Sequence, residues 1–253
     1  MDAEERRLRI LHLTRGAGAV AVADLAARFT VARETVRRDL TVLENEGLIR
    51  RTHGGAHPVG RAEPPRPLPP RAAADAPARA RIAAAAAGLL GPAETVFIDE
   101  GVTQQLIARA LPRERALTVV TPSLTAAHAL GDAERFTVLL LGGRVRAATL
   151  ATADREAARM LAGFVIDLAY LGGGGVSREH GLTVTDPLVA AVRSQVVRGS
   201  RRRVLVAAHT AFGRVRRCRY AAVRDLEAIV TDTDVPRTEV RRYSLLGPRV
   251  LPV

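Results

Sequence analysis

The stretch Arg33-Glu34-Thr35-Val36-Arg37-Arg38-Asp39-Leu40 carries residue types that could read a nucleic acid. On a helix, Val36, Leu40 and Leu43 share one narrow stripe at i, i+4, i+7, the spacing of a buried face. Arg37, Thr41, Glu34 and Arg38 then fan across the opposite face. Arginine can bond guanine O6 and N7 bidentately or clamp phosphate, and threonine can bond base edges or touch a thymine methyl. A basic run of this kind also fits the solvated face of an ordinary helix, so the neighbouring elements must decide.

A second group lies further along the chain. Short aliphatic runs end in Asp99-Glu100-Gly101-Val102-Thr103, in Ser123, in Gly142-Gly143 and in Gly172 to Gly175. Open α/β sheets bind ligands beyond the carboxyl ends of their strands, where glycines let backbone N–H groups approach an anion. Each glycine alone is explained by a tight turn. Gathered on one edge, Asp99, Gly101, Thr103, Ser123, Gly142, Gly143, Gly172 and Gly175 make a candidate pocket for a small molecule. The Gly172–Gly175 run lacks the G-x-G-x-x-G spacing, which argues against a dinucleotide fold.

The elements that must position the first group read as three helices and a hairpin. Glu5 to Arg15 carries Leu8, Ile10, Leu11 and Leu13 and is expected to stop at Gly16 and Gly18. Val22 to Phe29 is a shorter helix, and a turn of three or four residues leads into the basic helix, which ends at Gly47. Leu48 to His53 is a β-prone basic strand with Gly54-Gly55 as its turn. This is a winged helix-turn-helix, whose third helix enters the major groove while the wing lies along phosphate or the minor groove. Asp39 sits beside the buried stripe, where pairing with an arginine would hold the domain together.

Pro58 to Pro77 is rich in proline, arginine and alanine and reads as an extended spacer. From Ala80 onward, strands alternate with helices. The expected strands include 95–99, 117–121, 137–141, 166–171, 203–207 and 228–231, and the helices 81–90, 104–111, 124–130 and 187–199. Near-continuous aliphatic strands predict a mostly parallel sheet covered on both faces. The expected domains are therefore an all-α winged-helix domain at 1–57, a linker at 58–79 and an α/β domain at 80–253.

Composition bounds the partners. A formal charge of +12 among 253 residues points to an anionic partner, with nucleic acid first. Every basic residue is arginine. The single Cys218 excludes an intramolecular disulfide and a multi-cysteine metal site, and it fits a reducing compartment. The first ten residues lack the apolar core of a signal peptide, and Ile82 to Leu90 is under half the ~20 residues a membrane helix needs. A cytoplasmic protein without a membrane partner is expected. His53 and His57 have no further ligands near them in sequence, so neither a metal nor a cofactor is expected.

The chain resembles the DeoR family of bacterial transcriptional regulators. The match runs through Val22-Ala23-Asp24-Leu25-Ala26, Glu34 to Leu40, Leu43-Glu44, Gly47-Leu48 and Arg50-Arg51-Thr52-His53-Gly54-Gly55-Ala56. The resemblance implies that Thr35, Arg37 and Arg38 face DNA, with Thr41 beside them, and that Arg50, Arg51 and His53 belong to the wing. Thr30 stands where the family usually has Gly, and Ala32 where it has a Ser cap. Phe97-Ile98-Asp99, Thr118 to Thr121 with Ser123-Leu124, Leu141-Gly142-Gly143, Leu171-Gly172, Gly181-Leu182-Thr183 and Phe212-Gly213-Arg214 match the family's effector domain, which resembles phosphosugar isomerases.

That resemblance implies an oligomeric repressor on double-stranded operator DNA, controlled by a small effector such as a phosphorylated sugar. Departures cluster at ligand-facing positions. Glu100 and Val102 replace small hydroxyl residues, Pro122 an Asn, Leu188 and Val189 glutamates, Arg193 a Lys, and Ala208 and Ala211 an Asp and a Lys. Either the ligand has changed or its binding has decayed. The rival reading is a phosphosugar isomerase-like enzyme, which would need a carboxylate base with a cationic partner; Asp99, Glu100, Asp186 and His209 are the residues available.

Overall fold

The computed structural model describes residues 2–17, 19–45, 48–52, 54–58 and 76–253. The chain divides into two compact units, 1–67 and 68–253.

In the first unit, α1 (Ala3–Ala17), α2 (Val22–Phe29) and α3 (Arg33–Asn45) pack around Ile10, Leu11, Leu25, Val36, Leu40 and Leu43. The apolar stripe of α3 is buried as its spacing predicts: Val36, Leu40 and Leu43 are almost inaccessible, while Arg37 and Arg38 are exposed. The first helix differs from its expected face and length. Leu8 is 63% exposed, because the buried row is Arg6, Ile10 and Thr14, and the helix runs through Gly16. The wing strands β2 (Ile49–Thr52) and β3 (Gly55–Pro58) pair antiparallel, Arg51 opposite Ala56. A third strand that sequence pattern did not reveal, β1 (Val20–Ala21), pairs with β3. This explains Gly55 better than a turn does, since a Cβ there would run into the Val20 carbonyl. Gly47 and His53 lie outside the described residues, as do residues 59–75 of the expected linker.

The turn between α2 and α3 carries a local cost. Thr30 closes α2 in the left-handed region, with φ of +51°. That conformation costs an L-residue roughly 1–2 kcal/mol, and a β-branched residue is poorly suited to it. Thr30 therefore caps α2 and not α3. Thr35 and Val36 N–H bond to the Ala32 carbonyl, so Ala32 opens α3 without a side chain able to cap it. Thr30→Gly is expected to raise the stability of this domain by about 1 kcal/mol, seen as a higher thermal midpoint of its helical circular dichroism.

The second unit starts with α4 (Ala76–Ala87), earlier than the expected domain start. Pro77 is tolerated because a helix's first turn has no intrahelical use for its N–H groups. The chain then lays down β4 (Thr95–Ile98), α5 (Val102–Ala110), β5 (Leu117–Thr121), α6 (Leu124–Leu130) and β6 (Phe136–Leu140). A short hairpin, β7 (Val145–Arg146) and β8 (Ala151–Thr152), precedes α7 (Arg155–Leu161) and β9 (Ile166–Gly172). There follow β10 (Gly175–Ser177), β11 (Gly181–Val184), α8 (Pro187–Gly199), β12 (Ser200–Val206), β13 (Cys218–Ala221), β14 (Ala228–Thr231), α9 (Arg237–Ser244) and β15 (Arg249–Pro252).

Seven strands form one sheet in the order β15-β14-β12-β9-β4-β5-β6, and all six pairings are parallel. Alternate residues of each strand face two separate cores. Val96, Ile98, Leu168 and Tyr170 meet α4, α5 and α6 on one face, and Phe97, Ala169, Leu171 and Leu205 meet α7 and α8 on the other. A small antiparallel sheet, β10-β11-β13, covers part of the second core. Its short strands carry too little periodicity to be read from sequence. From β4 the chain steps outward to β5 and β6, then returns to place β9 on the other side of β4. The strand order therefore reverses between β4 and β9, where open α/β sheets form their ligand crevice.

Candidate functional sites

On α3, Arg33, Glu34, Arg37 and Arg38 are exposed and Thr35 is half-buried. Arg37 pairs with Glu34 at 3.2 Å, a surface contact worth little. Thr41 is committed within the domain. Its hydroxyl donates to the Arg37 carbonyl (2.9 Å) and accepts from Arg51 Nη1 (2.8 Å). Arg51 N–H also donates to Glu44 at 2.9 Å. Thr41, Glu44 and Arg51 thus tether the wing to α3. Arg50 lies in β2, and His53 is outside the described residues.

Beneath this surface, Arg6 of α1 meets Asp39 of α3, Nε to Oδ2 at 2.6 Å and Nη2 to Oδ1 at 3.3 Å. The side chains are only 10% and 7% exposed. The hydrogen bond that Arg6 donates to Asp39 raises its guanidinium pKa, against the pull of its burial. This is the partner the sequence left open for Asp39. The available signal was an arginine on the apolar row of α1, at i and i+4 with Ile10.

In the second unit, a cavity of about 450 Å³ opens at the β4/β9 reversal. Its walls come from Glu100 and Gly101 after β4 with the first turn of α5, from Gly172 to Gly174 at the end of β9, from Thr185 and Asp186 before α8, and from the end of β12 with Ala207, Ala208, Thr210 and Ala211. Gly101 has φ of +130°, a backbone conformation that only glycine adopts without strain. Gly101 has no side chain to cap α5, which leaves the first-turn N–H groups of that helix for the cavity. Gln104, with its amide turned to satisfy both ends, bridges the Glu100 carbonyl (3.2 Å) and the Gly172 N–H (3.3 Å).

Asp99 lies under the cavity floor. Its Oδ2 accepts the Gly172 N–H at 2.8 Å and its Oδ1 the Glu100 N–H at 2.8 Å. Arg193 of α8 approaches Asp99 Oδ2 through Nε at 2.7 Å, off the N–H axis, so the contact is an ion pair and not a directed hydrogen bond. The two side chains are 2% and 7% exposed. Burial raises the Asp99 carboxyl above its usual range, and Arg193 pulls it only part of the way back. Burial would lower the Arg193 guanidinium, but Asp99, Tyr220 and Glu100 together outweigh it and raise it. Arg193 Nη1 also donates to the Gly172 carbonyl (3.1 Å), as does the Tyr220 hydroxyl (3.0 Å), and the guanidinium lies 5.5 Å from the Tyr220 ring centre.

At the cavity wall, Arg146 of the β7–β8 hairpin reaches Glu100, with Nη1 at 2.8 and 3.1 Å from the two carboxylate oxygens. Its Nε lies 3.6 Å from Asp186 Oδ2. Asp186 caps α8 by accepting Leu188 N–H at 2.9 Å, with Pro187 in the first turn. Nothing in the sequence pointed to Arg146, which is 46 residues from Glu100.

Of the residues expected to line a pocket, Gly101, Thr103 and Gly172 surround this cavity and Asp99 supports it. Ser123, Gly142, Gly143 and Gly175 are not among its walls. Ser123 is fully buried and caps α6 through Ala126 N–H. Gly142 and Gly143 pass beside α7, where Asp154 takes N–H bonds from Ala157, Arg144 and Glu156 that hold its carboxyl below the usual range. Gly175 packs its backbone against the Arg214 carbonyl. These four sit where strands end, but each serves a turn, a cap or a close approach. Among the described residues, His209, Asp232 and Asp234 are the one His/Asp/Glu/Cys group tight enough to suggest a metal. Asp232 is already occupied there, accepting from His209 N–H (2.8 Å) and Asp234 N–H (3.1 Å) and contacting His209 Nδ1 (3.0 Å).

A winged helix-turn-helix followed by an α/β domain with a cavity at its strand reversal defines a DNA-binding transcription regulator with a sensor domain. The DeoR-like helix-turn-helix domain matches residues 6–60 and the DeoR C terminal sensor domain residues 75–233, so the chain belongs to the DeoR family. The glycerol-3-phosphate regulon repressor of Escherichia coli (strain K12) is 29% identical over 236 residues, 93% of each chain. The HTH-type transcriptional regulator YgbI of the same organism is 31% identical over 94% of this chain and 92% of that one. A solved structure, the probable sor operon regulator from Shigella flexneri, matches at TM-score 0.44 and 11% identity over 68% of this chain and 88% of that chain. Among the described residues, no helix is long and apolar enough to cross a membrane.

Proposed function

We propose that this regulator is a cytoplasmic repressor of carbohydrate-related genes, that it binds a duplex operator through Thr35, Arg37, Arg38 and the wing arginines, and that a small phosphorylated effector enters the sensor cavity. The observation that carries the effector reading is the cavity itself. It sits at the strand reversal, offers the uncapped first turn of α5, and has Arg79, Arg146 and Arg193 in its walls. A relative named for a glycerol 3-phosphate regulon supports the same ligand chemistry.

The enzyme alternative is disfavoured by how the carboxylates are used. A proton-transferring base needs a free carboxylate, whereas Asp99 is paired with Arg193, Glu100 with Arg146, and Asp186 caps a helix. No cofactor or metal enters the mechanism. Homo-oligomers assembled through the sensor domain would set two reading helices on half-sites about 34 Å apart. Exposed Leu140, Val145, Leu150 and Met160 are apolar surface that such assembly would cover. Effector binding then changes operator affinity by about 1–3 kcal/mol, the usual scale of allosteric coupling.

Footprinting on genomic DNA with and without sugar phosphates tests this. A protected, repeat-containing site that is released or tightened by one member of the panel is expected; no protected site at low salt would refute it. Arg38→Ala is expected to cost about 1–3 kcal/mol on the operator and less on unrelated duplex, measured by fluorescence anisotropy. An equal loss on both would make Arg38 a phosphate contact.

A further inference from the structure

Glu100 is the unexpected residue of the sensor cavity. It stands immediately before Gly101 and the uncapped start of α5, where an incoming anion would find N–H donors. An acidic side chain at that point should repel the anion. Its carboxylate is instead bound by Arg146, with one guanidinium nitrogen touching both oxygens at 2.8 and 3.1 Å. The two side chains are 11% and 25% exposed, so the pair is shielded yet still reachable from the cavity.

Among the cavity arginines, Arg193 is held from below by Asp99 and by the Gly172 carbonyl, deep in the core. Arg146 is held by side chains alone, Glu100 at short range and Asp186 at 3.6 Å. It also comes from the two-residue strand β7, whose other member Val145 is exposed, and the turn that follows holds the exposed Leu150 at φ +50°. The Arg146 backbone is paired with the buried Ala151, but the contacts to Glu100 and Asp186 are made by the side chain, so the guanidinium can leave Glu100 without parting the two strands.

Resting on the reading of this cavity as an effector site, we propose that Arg146 is the side chain that receives the effector's anionic group and that Glu100 is its built-in competitor. The effector binds by exchange. Its phosphate takes the place of the Glu100 carboxylate on Arg146, and no covalent bond changes. The exchange sets a threshold: a ligand with one weak negative charge does not displace the carboxylate, whereas a phosphate dianion with further contacts to the cavity does. It also couples occupancy to the β7–β8 hairpin, because Arg146 is that hairpin's link to Glu100 and Asp186.

The test uses the full chain with inorganic phosphate as probe, potassium chloride matching the ionic strength, and thermal midpoint and calorimetric titration as readouts. Glu100→Gln keeps an acceptor and the side-chain shape but removes the competing charge, and is expected to bind phosphate at least tenfold more tightly than the parent. Arg146→Gln is expected to lose the response, and the double variant to behave like Arg146→Gln. Equal phosphate affinity in parent and Glu100→Gln, or a double variant that binds as tightly as Glu100→Gln, would overturn the exchange while leaving the cavity an effector site. Absence of any phosphate response in both parent and Glu100→Gln would overturn the anionic-effector reading together with it.

Discussion

Replacing Asp99 by alanine is expected to destabilise the sensor domain by about 3–5 kcal/mol, the cost of removing one member of a buried ion pair. The Arg193 guanidinium, 7% exposed, loses its carboxylate, the Glu100 N–H loses its acceptor, and the Gly172 N–H is left with the longer Gln104 contact. Phe97, Ile98 and Leu171 nearby are fully buried, so water can reach these groups only from the cavity side. Since a domain's whole stability is roughly 5–15 kcal/mol, the effect should be visible as a large shift in urea midpoint. All three tyrosines, Tyr170, Tyr220 and Tyr243, lie in this domain and there is no tryptophan, so tyrosine fluorescence reports its unfolding alone. Arg193→Met should cost a similar amount. Asp99→Leu combined with Arg193→Met should cost less than either single change, because a packed apolar pair carries no stranded charge. Losses below about 1 kcal/mol in the single variants, or simple additivity in the double, would show that the pair is not the strut described here.

The second large effect belongs to the DNA-binding domain. Arg6→Ala is expected to cost that domain about 3 kcal/mol, the low end for a broken buried pair, because in so small a domain water lies close by. Asp39 would be left 7% exposed without its guanidinium, on the helix that carries Arg37 and Arg38. Helical circular dichroism should then show an early melting step while the tyrosine transition stays in place. Operator affinity should fall too, although Arg6 lies on α1 and not on the face of α3 proposed to meet DNA. Unchanged melting with reduced affinity would instead make Arg6 a direct phosphate contact.

The comparison of expectation with structure divides along physical lines. Local periodicity was sufficient for α2, β5, α6, α8 and β14, whose ends match their sequence pattern, because their caps and breakers are local: Phe29 before the turn, Ser123 and Asp186 as N-caps, Pro187 in a first turn. Two-residue strands such as β1 and β7 have no period to detect, and the β10-β11-β13 sheet is held by partners brought from far along the chain. Pocket residues were legible only in part for a related reason. Glycine, serine and aspartate at strand ends mark loops equally well whether they serve a ligand, a cap or a turn, and Ser123 and Gly142 turned out to occupy the latter roles.

By itself, then, the sequence determined the protein's class: a basic amphipathic helix with its buried stripe, a wing behind it, and aliphatic strands that had to be covered on both faces. Those are consequences of short-range spacing and side-chain type. Tertiary structure alone decided the strand order, and with it the position of the cavity between β4 and β9. It also decided which charges meet. Arg6 with Asp39, Asp99 with Arg193 and Glu100 with Arg146 are separated by 33, 94 and 46 residues, and no local pattern encodes a partner at such distances. Burial chose them, because a charge enclosed by the fold must find its opposite there.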